Sequence, residues 1–297
     1  VGFDEVLGNS RVKKILRLAL QRGRVPNSLL FCGPEGVGKR SLAFALAKAI
    51  NCQRRQDDAC DECPACKAIS AGRFPDVQEI KPDGQAIKVE HVREMRQIAY
   101  LRPMSGKKRV FIITEAEKLT DEAANTLLKI LEEPPFFSQF ILITPNPHLI
   151  LPTIKSRCQI LHFVPVGKEE IARALAEKGY PEDRARIISL YVRGNFGEAL
   201  GLDWNEVQTK RREVWALFLS FLKNEEPALL LRSYGFAQRN LIREDLETTL
   251  EIMASFCRDL ILVKEEGDPV FLLNPDYAED IRALEKEWSL ERCWQCL

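Results

Sequence analysis

Ser28-Leu29-Leu30-Phe31-Cys32-Gly33-Pro34-Glu35-Gly36-Val37-Gly38-Lys39-Arg40 is the stretch from which the fold is read. A short apolar run bounded by a Gly-rich turn reads as a buried strand. The apolar spacing that begins at Lys39 and continues to residue 50 reads as a helix. Between the two lies G-x-x-x-x-G-K, the spacing that lets backbone N–H groups and a helix N-terminus cradle phosphate while a lysine neutralises it. Gly33, Gly36, Gly38 and Lys39 are therefore candidate nucleotide-binding residues. The motif next requires a Ser or Thr hydroxyl for Mg²⁺, and Arg40 stands there instead. A guanidinium has no lone pair to offer a cation and repels it. Ser41 follows, but one helical residue is a rotation of about 100°. The cradle is degenerate: phosphate has a seat and magnesium lacks one.

Outward from this stretch, residues 109–113 and 140–143 read as strands, 77–80 and 87–89 as extended segments around a Pro-Asp-Gly turn, and 11–22, 90–101 and 121–133 as helices. Strand and helix in alternation indicate an α/β fold with a parallel sheet. The strand at 109–113 ends in Thr114-Glu115, where a P-loop ATPase carries an Asp for Mg²⁺ followed by a Glu that polarises water. Thr114 removes a second metal ligand; Glu115 remains. Beyond residue 166 strand signals vanish, and 168–178, 182–192, 206–222, 227–238, 243–264 and 278–288 read as helices. At 297 residues the chain exceeds one core. The layout is an α/β P-loop domain over 1–166 with an insertion at 52–66, a small helical domain over 167–204, and an all-α domain over 205–297.

The insertion holds Cys52, Cys60, Cys63 and Cys66, spaced C-x7-C-x2-C-x2-C in a polar segment with little apolar core of its own. Four thiolates so spaced close a tetrahedral Zn²⁺ site and leave no open position for catalysis, so the expected role is structural. The chain has nine cysteines, an odd number that argues against a disulfide framework. Cys293-Trp294-Gln295-Cys296 is a lone C-x2-C and carries no assignment. No apolar run spans a bilayer, and the first residues lack the layout of a signal peptide, so no membrane partner and a cytoplasmic location are expected. Net charge is zero.

Two further stretches carry a family resemblance. Leu119-Thr120-Asp121-Glu122-Ala123-Ala124-Asn125-Thr126-Leu127-Leu128-Lys129-Ile130-Leu131-Glu132-Glu133-Pro134-Pro135 and Leu151-Pro152-Thr153-Ile154-Lys155-Ser156-Arg157-Cys158 resemble the bacterial DNA polymerase III clamp-loader family, ATPases of the AAA+ type. The resemblance implies an AAA+ domain, a helical lid and a helical collar. It implies a place in a hetero-oligomeric ring that loads a sliding clamp onto primer–template DNA. It makes Arg157 an arginine finger acting on a neighbouring subunit's ATP, and Lys88, Arg93 and Arg96, with the basic turn Lys107-Lys108-Arg109, candidate DNA contacts. The first sensor position falls at Thr144 or Asn146, and the second falls at Gly197, where its arginine is absent. ATP binding remains open and hydrolysis at this chain's own cradle is not expected. The alternatives are a hydrolysing motor subunit of the same family, or a zinc-containing DNA-binding module outside any ring.

Overall fold

A computed structural model describes residues 2–222, 243–268 and 271–285. The expected helix at 227–238, and Cys293 and Cys296, lie outside the described residues. The chain divides into two compact units, Val1–Val166 with Asn195–Gly197, and Gly167–Gly194 with Glu198–Leu297.

The first unit is built on strands β1 (Ser28–Cys32), β2 (Val77–Ile80), β3 (Arg109–Ile113), β4 (Ser138–Thr144) and β5 (Gln159–His162). They form one sheet in the order β2-β3-β4-β1-β5 with every pairing parallel. Helix α1 (Ser10–Gln21) precedes β1; parallel neighbours need crossovers, and these contain helices α2 (Lys39–Asn51), α3 (Pro64–Ser70), α4 (Val89–Ala99), α5 (Asp121–Glu132) and α6 (Pro152–Lys155). This is the α/β class read from the sequence.

Every residue of β1, β3 and β4 is buried, as expected of strands covered on both faces. Alternation along each strand sorts the side chains into two cores. Leu29, Phe31, Val110, Ile112, Ile141 and Ile143 pack with α1 and α2. Leu30, Cys32, Phe111, Ile113, Phe140 and Leu142 pack with α4 and α5. Each such side chain contributes about 1.5–3 kcal/mol of burial.

Helix boundaries follow local chemistry. Thr120 caps α5 by accepting from the Ala123 N–H at 3.3 Å, and Asp121 and Glu122 place negative charge in its first turn. Pro134 and Pro135 prevent α5 from continuing past Glu132. The two segments read as extended part company: 77–80 forms strand β2, while in 87–89 Ile87 makes a single bridge to Leu119 and Val89 already begins α4, its side chain on the buried stripe with Val92, Met95 and Ala99. The edge strand β5 was not read, because only Leu161 of its four side chains is buried.

A buried carboxylate ties the front of the sheet together. Asp76, fully buried, accepts from the backbone N–H groups of Met104 (2.9 Å), Ser105 (2.7 Å) and Gly106 (2.8 Å) and pairs with buried Arg109 at 3.1 Å.

The second unit is helical. Its core gathers Val214 and Phe218 from the helix Trp204–Leu222 with Ile252, Phe256 and Leu260 from the helix Arg243–Lys264 and Ile281 from Ala278–Glu285. Trp215 packs among Phe218, Phe256 and Tyr277, with centroid distances of 5.6, 4.8 and 5.0 Å. Among the described residues no helix is long and apolar enough to cross a membrane.

Removal of the Asp76 carboxylate strands Arg109 and three N–H donors in the core. We expect Asp76→Ala to lower stability by about 3–5 kcal/mol, read as a shift of the denaturant midpoint of the first unit's transition.

Candidate functional site

The Gly-rich loop leaves β1 at its carboxyl end, and its glycines are required by backbone geometry. Gly33, Gly36 and Gly38 have φ of 146°, 67° and 90°, and a Cβ on Gly33 would fall 2.4 Å from the Phe163 carbonyl oxygen. Gly38 stands at the N-cap of α2, so the loop's N–H groups and the helix terminus converge as a phosphate cradle requires. Lys39 is folded back into the loop. Its Nζ donates to the Gly33 carbonyl at 2.5 Å and to the Pro34 carbonyl. Burial pulls its pKa below the ordinary lysine value, opposed by the Glu35 and Glu117 carboxylates.

Both positions where magnesium ligands belong are engaged elsewhere. Arg40 reaches to the edge strand β2, where its Nε and one terminal nitrogen donate to the two carboxylate oxygens of Glu79 at 2.5 and 2.6 Å. Its guanidinium also lies 4.9 Å from the centroid of the Phe44 ring. Burial opposes ionisation of Glu79, but the hydrogen bonds from Arg40 and Lys81 outweigh it and hold the carboxyl below its usual range. Thr114 is buried and its Oγ1 donates to the Ile80 carbonyl at 3.2 Å. Glu115 takes a left-handed conformation (φ 53°) and pairs with Lys118 at 2.5 Å. Ser41 is exposed.

Two acidic residues belong to this region that sequence reasoning did not single out. Glu79 is one. Glu117 is the other: its Oε2 is buried without a hydrogen-bond partner among the described residues, and its charge acts on Lys39. The position two residues after Glu115 was the only available signal for Glu117. Glu79 had none, since 39 residues separate it from Arg40. Of the two sensor candidates on this side, Thr144 is buried at the end of β4, where its Oγ1 accepts from the Asn146 N–H at 3.1 Å.

The four clustered cysteines converge. Cys52 follows α2, Cys60 lies in the loop, Cys63 caps α3 and Cys66 sits in that helix's first turn. Their Sγ atoms all lie within 4.8 Å of one another. A tetrahedral ion bonded to sulfur at roughly 2.3 Å needs sulfur separations of about 3.8 Å, so the set fits a metal with little adjustment. Backbone N–H groups of Arg55, Cys63 and Cys66 donate to the sulfurs of Cys52, Cys60 and Cys63 at 3.3, 3.3 and 3.4 Å, the arrangement that stabilises thiolates. Burial would raise the Cys63 thiol, but donors from Gln53 and Cys66 bring it down to about 6. Cys66 is pushed up to about 12, by burial first and by its hydrogen bond with Cys63 second. Outside the thiols, Asp58 accepts from the Phe3 N–H and from Arg17, both at 3.0 Å, and Lys48 pairs with Asp61 at 2.5 Å.

Arg157 follows α6, two residues before β5, with its side chain one-third exposed. Arg93 and Arg96 are exposed on α4, and exposed Lys88 at its N-cap stands 3.8 Å from Asp83. The basic turn is committed internally. Lys107 Nζ donates to the Cys52 carbonyl at 2.5 Å, Lys108 Nζ to Asn27 Oδ1 at 3.0 Å, and Arg109 is buried on Asp76. All three residues join loops of the fold; Arg109 is buried, Lys108 half-buried and Lys107 exposed.

Residues 8–167 match the family model described as DNA polymerase III, delta subunit. The chain is 35% identical over 196 residues to DNA polymerase III subunit delta' of Bacillus subtilis (strain 168), covering 66% of this chain and 59% of that one. It is 37% identical over 207 residues to subunit tau of the same organism, covering 67% of this chain and 37% of that one. Each of these alignments spans less than two thirds of the relative's length. Among solved structures, a DNA polymerase III gamma subunit-related protein from Thermotoga maritima aligns over 95% of this chain and 96% of that one at 19% identity, with a TM-score of 0.47.

Metal affinity at the cysteine cluster must fall with pH, because protons compete for the thiolates. We expect a Co²⁺-loaded chain to keep its thiolate charge-transfer absorbance at neutral pH and to lose it on acidification, as protons displace the ion from the four sulfurs. Cys63→Ser shifts that loss to higher pH or abolishes binding.

Proposed function

The chain belongs to the DNA polymerase III delta-subunit family, and from that premise we propose that it serves as a delta-prime-like clamp-loader subunit, an AAA+ protein of a hetero-oligomeric ring. In this reading it does not hydrolyse ATP itself and supplies Arg157 to the ATP site of an adjoining subunit. The observation that carries the proposal is the loss of both magnesium positions. Arg40 is drawn off to Glu79, and the Thr114 hydroxyl is spent on a backbone carbonyl. Without a cation to bridge phosphates, the cradle lacks the group that neutralises charge developing during phosphoryl transfer. ATP or plain phosphate can still occupy the glycine loop once Lys39 exchanges its carbonyl partners for phosphate oxygens.

Placement of the two functional ends supports the same reading. The cradle stands at the carboxyl ends of β1 and β3, whereas Arg157 precedes the amino end of β5. One chain therefore carries a phosphate seat at the carboxyl ends of its strands and a cation at the amino ends, and copies or relatives joined head to tail bring one to the other. Set on a neighbour's γ-phosphate, the guanidinium stabilises the transition state by an amount worth about 10³–10⁵ in rate in GTPases. The chain's part is to orient that cation and to keep its own cradle inert.

Zinc is the metal we assign to Cys52, Cys60, Cys63 and Cys66. All four protein ligands are soft thiolates, so the ion supplies structural cross-linking and no catalysis. Exposed Arg93 and Arg96, with Lys88, are the proposed contacts to the phosphates of primer–template DNA, electrostatic and blind to sequence. A sliding clamp is the assembly's proposed protein substrate.

The test compares ATP turnover by the purified chain with turnover by the loader reassembled from it and the ATP-hydrolysing subunits of its own organism. We expect none from the chain alone and a loss of about 10³-fold or more in the complex carrying Arg157→Ala. Steady turnover by the lone chain would instead favour the motor-subunit reading. Charge reversal at Arg93 and Arg96 should weaken DNA binding by the complex for all sequences alike and flatten its salt dependence.

A further inference from the structure

Glu132 is the last residue of α5, and its carboxylate accepts from a terminal nitrogen of Arg157 at 2.7 Å across 25 residues of sequence. We propose that Glu132 is a positioning residue for Arg157, selecting the rotamer in which the guanidinium faces outward from the edge of the sheet; this rests on the trans-acting role given to Arg157 above.

The two partners are anchored unequally. Glu132 ends a helix of 12 residues whose Ala123, Ala124, Leu127, Ile130 and Leu131 are buried, so its backbone is fixed by the core. Arg157 follows a helix of only four residues, and the Arg157 N–H bonds back to the Ile154 carbonyl at 3.1 Å. A long side chain on so short a turn has many rotamers open to it, and contacts that restrict them must come from elsewhere. Three do. One terminal nitrogen donates to Glu132, and the other donates to the Thr153 carbonyl at 3.0 Å and to Ser156 Oγ at 3.4 Å. The Thr153 and Ser156 contacts move with the turn itself. Among the described residues only the Glu132 contact ties the guanidinium to the sheet-packed body of the unit.

Nε of Arg157 makes no hydrogen bond among the described residues. The fork is thus held by its terminal nitrogens while a donor remains available for an incoming phosphate oxygen. Preorganisation of this kind lowers the cost of orienting a catalytic cation without altering how tightly the neighbour holds its nucleotide. The Arg157 and Glu132 side chains are 33% and 51% exposed. Water screens such a pair, so its weight in global stability is small and its loss should register in turnover.

The experiment uses the reassembled loader with Arg157→Ala, Glu132→Ala, Glu132→Gln and the double Ala variant, reading kcat, KM for ATP and thermal unfolding. We expect Glu132→Ala to lower kcat by about 10- to 10²-fold with KM and melting unchanged. Glu132→Gln, which keeps an acceptor oxygen at the same reach, should recover most of that loss. The double variant should be no slower than Arg157→Ala alone. Normal turnover in Glu132→Ala beside a slow Arg157→Ala overturns the positioning role and leaves the role of Arg157 standing. Faster turnover in Glu132→Ala, a Gln variant no better than Ala, or additive losses in the double variant also overturn it. Normal turnover in Arg157→Ala brings down both readings.

Discussion

Burial of β1, β3 and β4 on both faces is the constraint from which the rest of the first unit follows. Strands covered on each side admit only apolar side chains along their length, so polar chemistry is confined to the ends, where the chain leaves the sheet. At the carboxyl ends this gives the glycine loop after Cys32 and the Thr114-Glu115 corner after Ile113. Helix α5 then returns the chain to the start of β4, and α6 returns it to the start of β5, bringing Glu132 and Arg157 together. The sheet thus sets the distance between two functional ends that share no residue.

Charge at the cradle is arranged to be self-sufficient. Lys39 has its own carbonyls and Arg40 has Glu79. The guanidinium–carboxylate pair is bidentate, with 57% of the Arg40 side chain and 14% of Glu79 exposed. With its folded pKa depressed, Glu79 contributes stability that is present above the ordinary glutamate value and disappears as acid titrates the carboxyl through its lowered one. At neutral pH the pair is intact. An active relative would need that space for a hydroxyl and a hydrated cation.

Much of this was legible from local patterns. The strand, loop and helix around Gly33–Lys39 lie within a dozen residues, and the cysteine ligands lie within fifteen, so spacing alone announced both. Illegible features depend on partners far away in sequence. Lys108 meets Asn27 across 81 residues, and Arg109 is buried on Asp76, so a run that reads as a surface patch is partly internal fastening. Glu79 and Glu117 carry no motif, and Glu132 lies in a motif that does not name its partner; each matters through a basic residue reached only after folding. Strand β5 escaped because an edge strand with one buried side chain lacks both the apolar run and the clean alternation that identify strands. Residues 87–89 are extended only at Ile87, which makes a bridge, because Val89 is already the first residue of α4.

Asp58 has a consequence of its own. It lies in the loop between Cys52 and Cys60, accepting from the N–H groups of Phe3 and Ala59 and from the Arg17 guanidinium. Phe3 is wholly enclosed in the core on the α1–α2 face of the sheet. The thiol loop is therefore a clasp fastened over the amino-terminal segment, and an ion that stiffens the loop also holds the first few residues in register with the body of the molecule.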